Sequence, residues 1–469
     1  METDLVVVGA GAAGIGAAQS ARRRGARVTL VERGPIGGDC TYAGCVPSKT
    51  LLEEAARGTG FAGAMSAVHR AIDIVAAAES APVLREQGIN VVQGTARFRD
   101  RRTLEVDGTI LRPRAFVVAT GAAPAVPPIP GLDTVPFLTN ENLFNLGELP
   151  ASMVVLGAGP IGVEMAEAFA RLGTSVTLVE ATAHILPREE PLAAEVLTHS
   201  LRALGVNVSL GAPVTGVAAG ERGIGVRVTL GSGRVLAADQ LLVAVGRRPF
   251  TADLGLDAAG VATDNRGFVT VDSRLRTTTR GIFAAGDVAS PLQFTHVAYQ
   301  TGHLAATNAL ARLPTHRFNP AHVPWVTFTS PEVARIGLTE AEAVEKGARV
   351  VFVPMSEVDR AITSGHTQGF VKIMTGPRPL TRNLAGGRFL GATIVAPRAG
   401  EMLHEIVLAM RTGMFPARVA LTVHAYPTWS MAVQQATAQL FGEFGGRSSR
   451  AASSVAHERV DSKGFIVES

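Results

Sequence analysis

Residues 9–32, "GAGAAGIGAAQSARRRGARVTLVE", align without a gap on residues 157–180, "GAGPIGVEMAEAFARLGTSVTLVE", and 12 of the 24 positions are identical. One supersecondary unit therefore occurs twice in the chain. Each copy follows an apolar run rich in β-branched residues ("DLVVV" and "SMVVL"), passes through a G-x-G-x-x-G turn and closes on "VTLVE". A strand, a glycine turn, a helix and a second strand make a dinucleotide-binding unit. Gly9 and Gly157 permit the tight turn, Gly11 and Gly159 let the backbone approach a pyrophosphate, and Gly14 and Gly162 let the helix pack close to its strand. The pyrophosphate is expected at the helix N-terminus, where unpaired amides and the helix dipole favour negative charge. Glu32 and Glu180, each 18 residues beyond its third glycine, are placed to accept hydrogen bonds from ribose hydroxyls.

The rest of the composition suits a large folded protein. With 469 residues, 46% of them hydrophobic and 18% charged, the chain can build several domains with sizeable cores. Its pI of 9.4 accompanies a net charge of only +4, and its arginines are scattered rather than gathered in a stripe, so no nucleic-acid partner is expected. The run Arg22-Arg23-Arg24 falls where a helix should end, in keeping with the helix dipole. No run of about 18 uninterrupted apolar residues reads as a membrane span. The start is acidic and has no cleavable signal pattern, so the expected location is cytoplasmic, with no membrane partner.

Both cysteines lie in "GGDCTYAGCVPSK", residues 37–49. A close pair in a long chain points to redox chemistry or to half of a metal site. Lys49 stands beside the pair and is one of only four lysines among 44 basic residues. Two glycine motifs imply two dinucleotides. A cysteine pair just after the first suggests a flavin there, with a nicotinamide cofactor at the second.

In "GGDCTYAGCVPSK", "FVVATGAAPAVPPIPG", "GAGPIGVE", "LLVAVGRRPF", "TTTRGIFAAGDVA" and "FTSPEVARIGLTEAEA" the chain resembles the pyridine nucleotide-disulfide oxidoreductases, which include dihydrolipoamide dehydrogenase, glutathione reductase and mercuric reductase. The resemblance implies an α/β fold with two Rossmann-like dinucleotide-binding domains and an α+β C-terminal dimerisation domain. The expected segments are 1–146 for the first part of the FAD-binding domain, 147–269 for the NAD(P)-binding domain, 270–325 for the second part of the FAD-binding or central domain, 326–445 for dimerisation, and 446–469 as a flexible tail rich in Ser, Arg and Gly.

The same resemblance assigns roles. Gly9, Gly11, Gly14 and Glu32 would hold the adenosine half of FAD, Thr120 and Gly121 would support it, and Asp287 would bond the ribityl chain. Gly38, His296 and Ala298 join the FAD site, and Gly157, Gly159, Gly162, Glu180 and Gly246 the nicotinamide site. Lys49 would lie near the flavin, paired with Glu164. Asp39 departs from the threonine common in many relatives. Cys45 would be the flavin-proximal sulfur and Cys40 the exchanging one, joined as a disulfide in the resting enzyme. A helix beginning around Pro47 would stabilise a nearby thiolate. No metal site is expected, because zinc needs more soft ligands than two cysteines. Glu180 favours the free 2'-hydroxyl of NADH, with NADPH possible through Arg188.

One segment departs from the family pattern. Dihydrolipoamide dehydrogenase and glutathione reductase carry a His-Pro-Thr segment followed by a glutamate, and that histidine moves the proton of the exchanging thiol. The matching stretch here is "HAYPTWSM", residues 424–431, with Tyr426 at the histidine's place and Met431 at the glutamate's. A phenol with a pKa of about 10 is a poor base beside an imidazole near about 6.5. His424, two residues upstream, is the nearest imidazole. Mercuric reductases also have a tyrosine at this place, but they bring mercury in with a cysteine pair near the C-terminus, and this chain has no cysteine after Cys45. The expected function is a homodimeric FAD-dependent NAD(P)H oxidoreductase acting on a small disulfide or dithiol. The alternatives are a quinone or metal-ion reductase and a redox sensor or non-catalytic partner subunit.

Overall fold

The computed structural model describes residues 3–223, 225–313 and 315–468. They form two compact units, one drawn from residues 3–128, 137–149 and 242–320, the other from residues 129–136, 150–241 and 321–468.

The first unit is built on a five-stranded parallel sheet. Its order is Ile282–Ala284, Ala115–Val118, β1 (Leu5–Val8), β2 (Val28–Glu32), Asn90–Gln93. All four residues of β1 are buried, because both faces of the sheet are covered; this is why the strand reads as an unbroken apolar run. One face packs on α1 (Ala12–Arg23) and on the helix Thr295–Leu310. The other face meets a three-stranded antiparallel sheet spanning residues 96–111. Helix α1 ends at Arg23 with Arg24 as its cap, so the arginine run sits at the negative end of the dipole. Residues 242–320 group with this unit, earlier in the chain than the expected boundary at 269. The strand Arg247–Pro249 pairs with Ala122–Pro124, and Leu254, Val261 and Val269 fill the core behind the sheet.

The second unit holds the other copy of the glycine motif. A four-stranded sheet runs in the order Asn207–Ser209, Ser175–Val179, Ser152–Leu156, Gln240–Val243, with the helix Pro160–Leu172 after the turn. The same unit contains a six-stranded antiparallel sheet in the order Pro324–Thr327, Glu332–Gly337, Arg388–Ala396, Phe370–Gly376, Arg349–Pro354, Arg450–Ala451. The helix Ala399–Thr412 covers it with Met402, Leu403 and Ile406. The architecture is α/β with two Rossmann-like units, as the repeat implied, and an α+β C-terminal region, as the family resemblance implied.

By length and composition alone, one described helical stretch, Phe61–Glu86, is long and apolar enough to cross a membrane. It carries Arg70 and Asp73 near its middle, charges that a bilayer core accommodates only at a cost.

Residues 446–469, whose composition suggested an extension without regular structure, supply an edge strand and a hairpin. Arg450–Ala451 adds to the six-stranded sheet, Glu458–Val460 pairs with Ile466–Glu468, and the Val460 amide donates to Glu195 at 3.3 Å. The anchor is a buried ion cluster. The Lys372 ammonium lies 2.9 Å from Glu340, 3.4 Å from Glu458 and 3.7 Å from Glu190. Arg450 pairs with both Glu340 and Glu458. Burial alone would raise the Glu340 carboxyl, but Arg450 and Lys372 outweigh it and hold it at about 2.

Replacing Lys372 by alanine leaves three buried carboxylates facing one arginine, and urea unfolding is expected to show a loss of about 3–5 kcal/mol. Because the Glu340 pKa is depressed on folding, its contribution is complete above pH 4.5 and is lost as the pH falls toward about 2. The acid limb of a stability-against-pH curve should therefore be shallower in Glu340→Gln than in the wild type.

Candidate active site

In the first unit, Gly37 and Gly38 carry the chain across the first glycine turn. Gly37 has φ +113°, its amide donates to the Ala10 carbonyl at 2.9 Å, and a Cβ on Gly38 would lie 2.8 Å from the Gly11 Cα. The crossing delivers α2 (Gly38–Tyr42), which contains Cys40, and then α3 (Cys45–Ala56), whose first residue is Cys45. Helix α3 thus starts two residues before Pro47. Lys49 lies one turn into it.

Cys40 is half-buried and Cys45 is exposed. The Thr295 hydroxyl, at the start of its helix, lies 3.1 Å from the Cys40 sulfur and 3.3 Å from the Cys45 sulfur. The hydrogen bond between Cys40 and Cys45, followed by burial and the negative charge on Cys45, pushes the Cys40 thiol well above the ordinary range, and the Thr295 hydroxyl opposes that rise. Cys45 is the more exposed sulfur and sits at a helix N-terminus, where backbone amides favour a thiolate. The pair is therefore arranged to keep one proton on Cys40 and negative charge on Cys45.

The glycine turns fit a dinucleotide. A Cβ on Gly14 would meet the Gly9 carbonyl oxygen at 1.7 Å, whereas one on Gly11 would meet no atom closer than 3.9 Å. In the second unit the same contrast holds, with 1.9 Å at Gly162 against the Gly157 oxygen and open space at Gly159. Neither α1 nor the helix Pro160–Leu172 has a side-chain cap, so first-turn amides remain for a pyrophosphate. Glu32 accepts the Ala10 amide at 2.6 Å and the Gly34 amide at 2.8 Å. Glu180 repeats this on the Ala158 amide at 2.8 Å and the Thr182 amide at 2.9 Å. Each carboxylate is thus locked against its own glycine turn with acceptor capacity left.

The other expected FAD residues belong to the same first unit. The Thr120 hydroxyl donates to the Phe250 carbonyl at 2.7 Å, and Gly121 (φ +72°) faces open space. His296 stacks on Phe294 at 5.5 Å, and Ala298 is buried beside Gly286. Gly246 (φ +136°), assigned by resemblance to the nicotinamide site, also groups with this unit. Asp287 faces Arg247 with 3.5 Å between Oδ2 and Nε, and Arg247 binds Asp39 at 2.9 Å. Burial pushes the Asp287 carboxyl up to about 6, with Asp39 and Cys45 adding to the rise and Arg247 opposing it.

In the second unit, Glu164 is buried and accepts the Phe328 amide at 2.9 Å. Tyr426 is 68% exposed and its hydroxyl donates to Asp359, whose charge raises the phenol further. Met431 opens the helix Met431–Ala438. His424 has both ring nitrogens engaged, Nε2 at 3.0 Å from Glu405 and Nδ1 at 2.9 Å from the Thr422 carbonyl. Both partners are acceptors, so the geometry suits the imidazolium and leaves no lone pair to act as a base.

A family model described as pyridine nucleotide-disulphide oxidoreductase matches residues 3–302, and the dimerisation-domain model of the same family matches residues 323–437. The chain belongs to this family of flavoprotein oxidoreductases. It is 36% identical over 464 residues to a mercuric reductase from Streptomyces lividans, covering 93% of this chain and 96% of the relative. It is 33% identical to a dihydrolipoyl dehydrogenase from Thermus scotoductus, covering 93% and 97%. Among solved structures it is similar to the Cu(II) complex of the HOCl-induced flavoprotein disulfide reductase RclA from Escherichia coli, with TM-score 0.83, 33% identity, and 92% and 98% of the two chains covered. The family is FAD-dependent and uses NAD(P)H, and the glycine turns above suit both cofactors.

Reading the sequence did not single out Thr295, Arg247, Asn140, Glu405 or Asp359. Arg247 lay within a quoted motif, but nothing in the motif names its partners.

Burial lowers the His424 pKa, but the Glu405 carboxylate and the Thr422 carbonyl raise it more, so its net shift is upward from 6.5. The stability this gives is complete below about pH 6.5 and fades as the pH rises through the folded value. Melting-temperature scans should show the advantage of the wild type over Glu405→Gln shrinking with rising pH; a gap that grows with pH would contradict the assignment.

Proposed function

We propose that the protein is a homodimeric reductase that takes electrons from NAD(P)H and passes them through Cys40 and Cys45 to a small disulfide, or runs the reverse reaction from a dithiol. The observation that carries this reading is the single Thr295 hydroxyl within hydrogen-bonding reach of both sulfurs. When bound, FAD supplies the two-electron link between a nicotinamide and the sulfur pair. Gly9, Gly11, Gly14 and Glu32 would hold its adenosine half, with Gly38, Thr120, Gly121, Asp287, His296 and Ala298 along the rest, and Lys49 contributes positive charge. Gly157, Gly159, Gly162 and Glu180 would hold the nicotinamide dinucleotide, with Gly246 assigned to it by resemblance.

The chain's own part is to manage charge and protons at sulfur. The N-terminal amides of α3 favour a thiolate at Cys45, the Thr295 hydroxyl donates to the Cys40 sulfur, and Cys40 meets the acceptor. The dimerisation-domain match supports a homodimer. A cytoplasmic location, where thiols outside catalytic pairs stay reduced, belongs to the same reading. Glu180 would repel a 2'-phosphate, so NADH is the preferred donor.

The C-terminal segment favours a second reading, a quinone or metal-ion acceptor. Tyr426 is bound to Asp359, Met431 has no acid–base group, and both nitrogens of His424 are occupied. Such acceptors need less proton transfer at Cys40, and the name mercuric reductase among the relatives supports a metal ion. Delivery thiols near the C-terminus are absent, since both cysteines lie at 40 and 45. The remaining alternative, a redox sensor or non-catalytic partner subunit, predicts no sustained NADH consumption with any acceptor.

Cys40→Ser separates the readings: disulfide-dependent NADH oxidation should fall to background, whereas quinone reduction should survive. Disulfide turnover that persists in Cys40→Ser would refute the site. For the donor, Glu180→Ala should reduce the NADH-over-NADPH preference in kcat/KM by about five- to tenfold; an unchanged ratio would remove Glu180 from cofactor choice.

A further inference from the structure

We infer that Asp39 is a positioning residue that draws the Arg247 guanidinium away from Asp287, leaving excess negative charge beside the Cys40–Cys45 pair and making the reduced pair a stronger electron donor. The inference rests on the redox-pair reading above, and goes beyond it in naming what sets the driving force.

Asp39 immediately precedes Cys40 in α2, at the position where many relatives have threonine. Its carboxylate is held from two sides. Arg247 Nη2 lies 2.9 Å from Oδ2, and the Asn140 amide donates to Oδ1 at 3.0 Å while also donating to the Ala43 carbonyl at 3.2 Å. Arg247 is thereby committed to Asp39 and, through Nη2, to the Ala122 carbonyl at 2.5 Å. The nitrogen it turns toward Asp287, Nε, is buried, makes no hydrogen bond and stops 3.5 Å short. One guanidinium serves two carboxylates and fully pairs with one. The rise of the Asp287 carboxyl, to which Asp39 and Cys45 both contribute after burial, agrees that these groups share one field.

The electron count gives the consequence. Reduction by NADH breaks the Cys40–Cys45 bond: the hydride's electron pair leaves one sulfur as thiolate, its proton stays on the other as thiol, and NAD+ departs. The site gains one negative charge. A carboxylate already fixed there opposes that gain, so the oxidised pair is favoured and the reduced pair gives up its electrons more readily.

The test uses the FAD-loaded protein equilibrated in dithiothreitol redox buffers of graded ratio, with thiols trapped by alkylation and counted by mass. Asp39→Asn keeps the size and one of the two accepting contacts, to Arg247 or to Asn140, but loses the charge. It should raise the reduced-to-oxidised ratio at fixed poise by roughly three- to tenfold, tenfold being about 30 mV for this couple. Asp39→Thr should shift it the same way, so failure of either variant to fold leaves the other. Asp39→Glu keeps the charge and should titrate with the wild type. A charge-removing variant that titrates with the wild type overturns the inference, as does a shift in Asp39→Glu equal to that in Asp39→Asn. A wild type that never forms a reducible Cys40–Cys45 bond would instead overturn the redox-pair reading.

Discussion

The absence of a side chain at Gly14 is the constraint on which the first unit depends. Any Cβ there would lie 1.7 Å from the Gly9 carbonyl oxygen, so only glycine allows α1 to start hard against the end of β1. That approach aims the free amides of α1 at the space over Gly11. It also places α1 where the helix Thr295–Leu310 can pack on it, at a second contact too close for a Cβ: one on Gly302 would lie 1.9 Å from the Ala13 oxygen. Thr295 begins that helix and so is carried to the two sulfurs, while Gly37 and Gly38 bring the sulfurs across the turn from the other side. Two backbone-to-backbone approaches thus fix the hydroxyl, the thiols and the uncapped first-turn amides of α1 in one frame. The second unit repeats the first of them at Gly162 and Gly157.

What was legible in the sequence follows from this arrangement. The fold could be read because each glycine motif acts on its own strand and helix within about 25 residues, and because parallel strands buried on both faces read as apolar runs. The cysteine pair, Glu32 and Glu180 beside their own glycine turns, and Asp287 could be singled out because they sit within such local units or within an ordered series of family motifs. Thr295 could not. It is separated from Cys40 by 255 residues, and a threonine at the start of a helix is ordinarily read as a capping residue. Glu405, which holds His424 from the helix Ala399–Thr412, lies only 19 residues away, but nothing in its local pattern shows which way the connection carrying His424 turns.

The C-terminal segment shows the limit of reading order from composition. A stretch rich in Ser, Arg and Gly lacks the apolar surface to fold alone. Its order depends on charges supplied elsewhere, by Lys372 in a central strand, Glu340 in a short helix and Glu190 ahead of another helix. Arg450 and Glu458 complete that set, and Arg450 extends the sheet edge by backbone pairing. Compositional rules are blind to such an anchor, because each member is an ordinary surface residue type until the fold brings them together.

The protein uses one electrostatic motif in two places with different consequences. Around Lys372 and Arg450, three carboxylates meet two cations, and the excess anion lies within a static interior where it bears on stability alone. Around Arg247, two carboxylates meet one cation, and that excess adjoins sulfurs whose charge changes when they are reduced. A fixed imbalance beside a group of changing charge becomes a difference in free energy between its two redox states. The family's fold supplies the sulfur pair and the glycine turns, and the Asp39 carboxylate held by Arg247 and Asn140 sets the field in which that pair works.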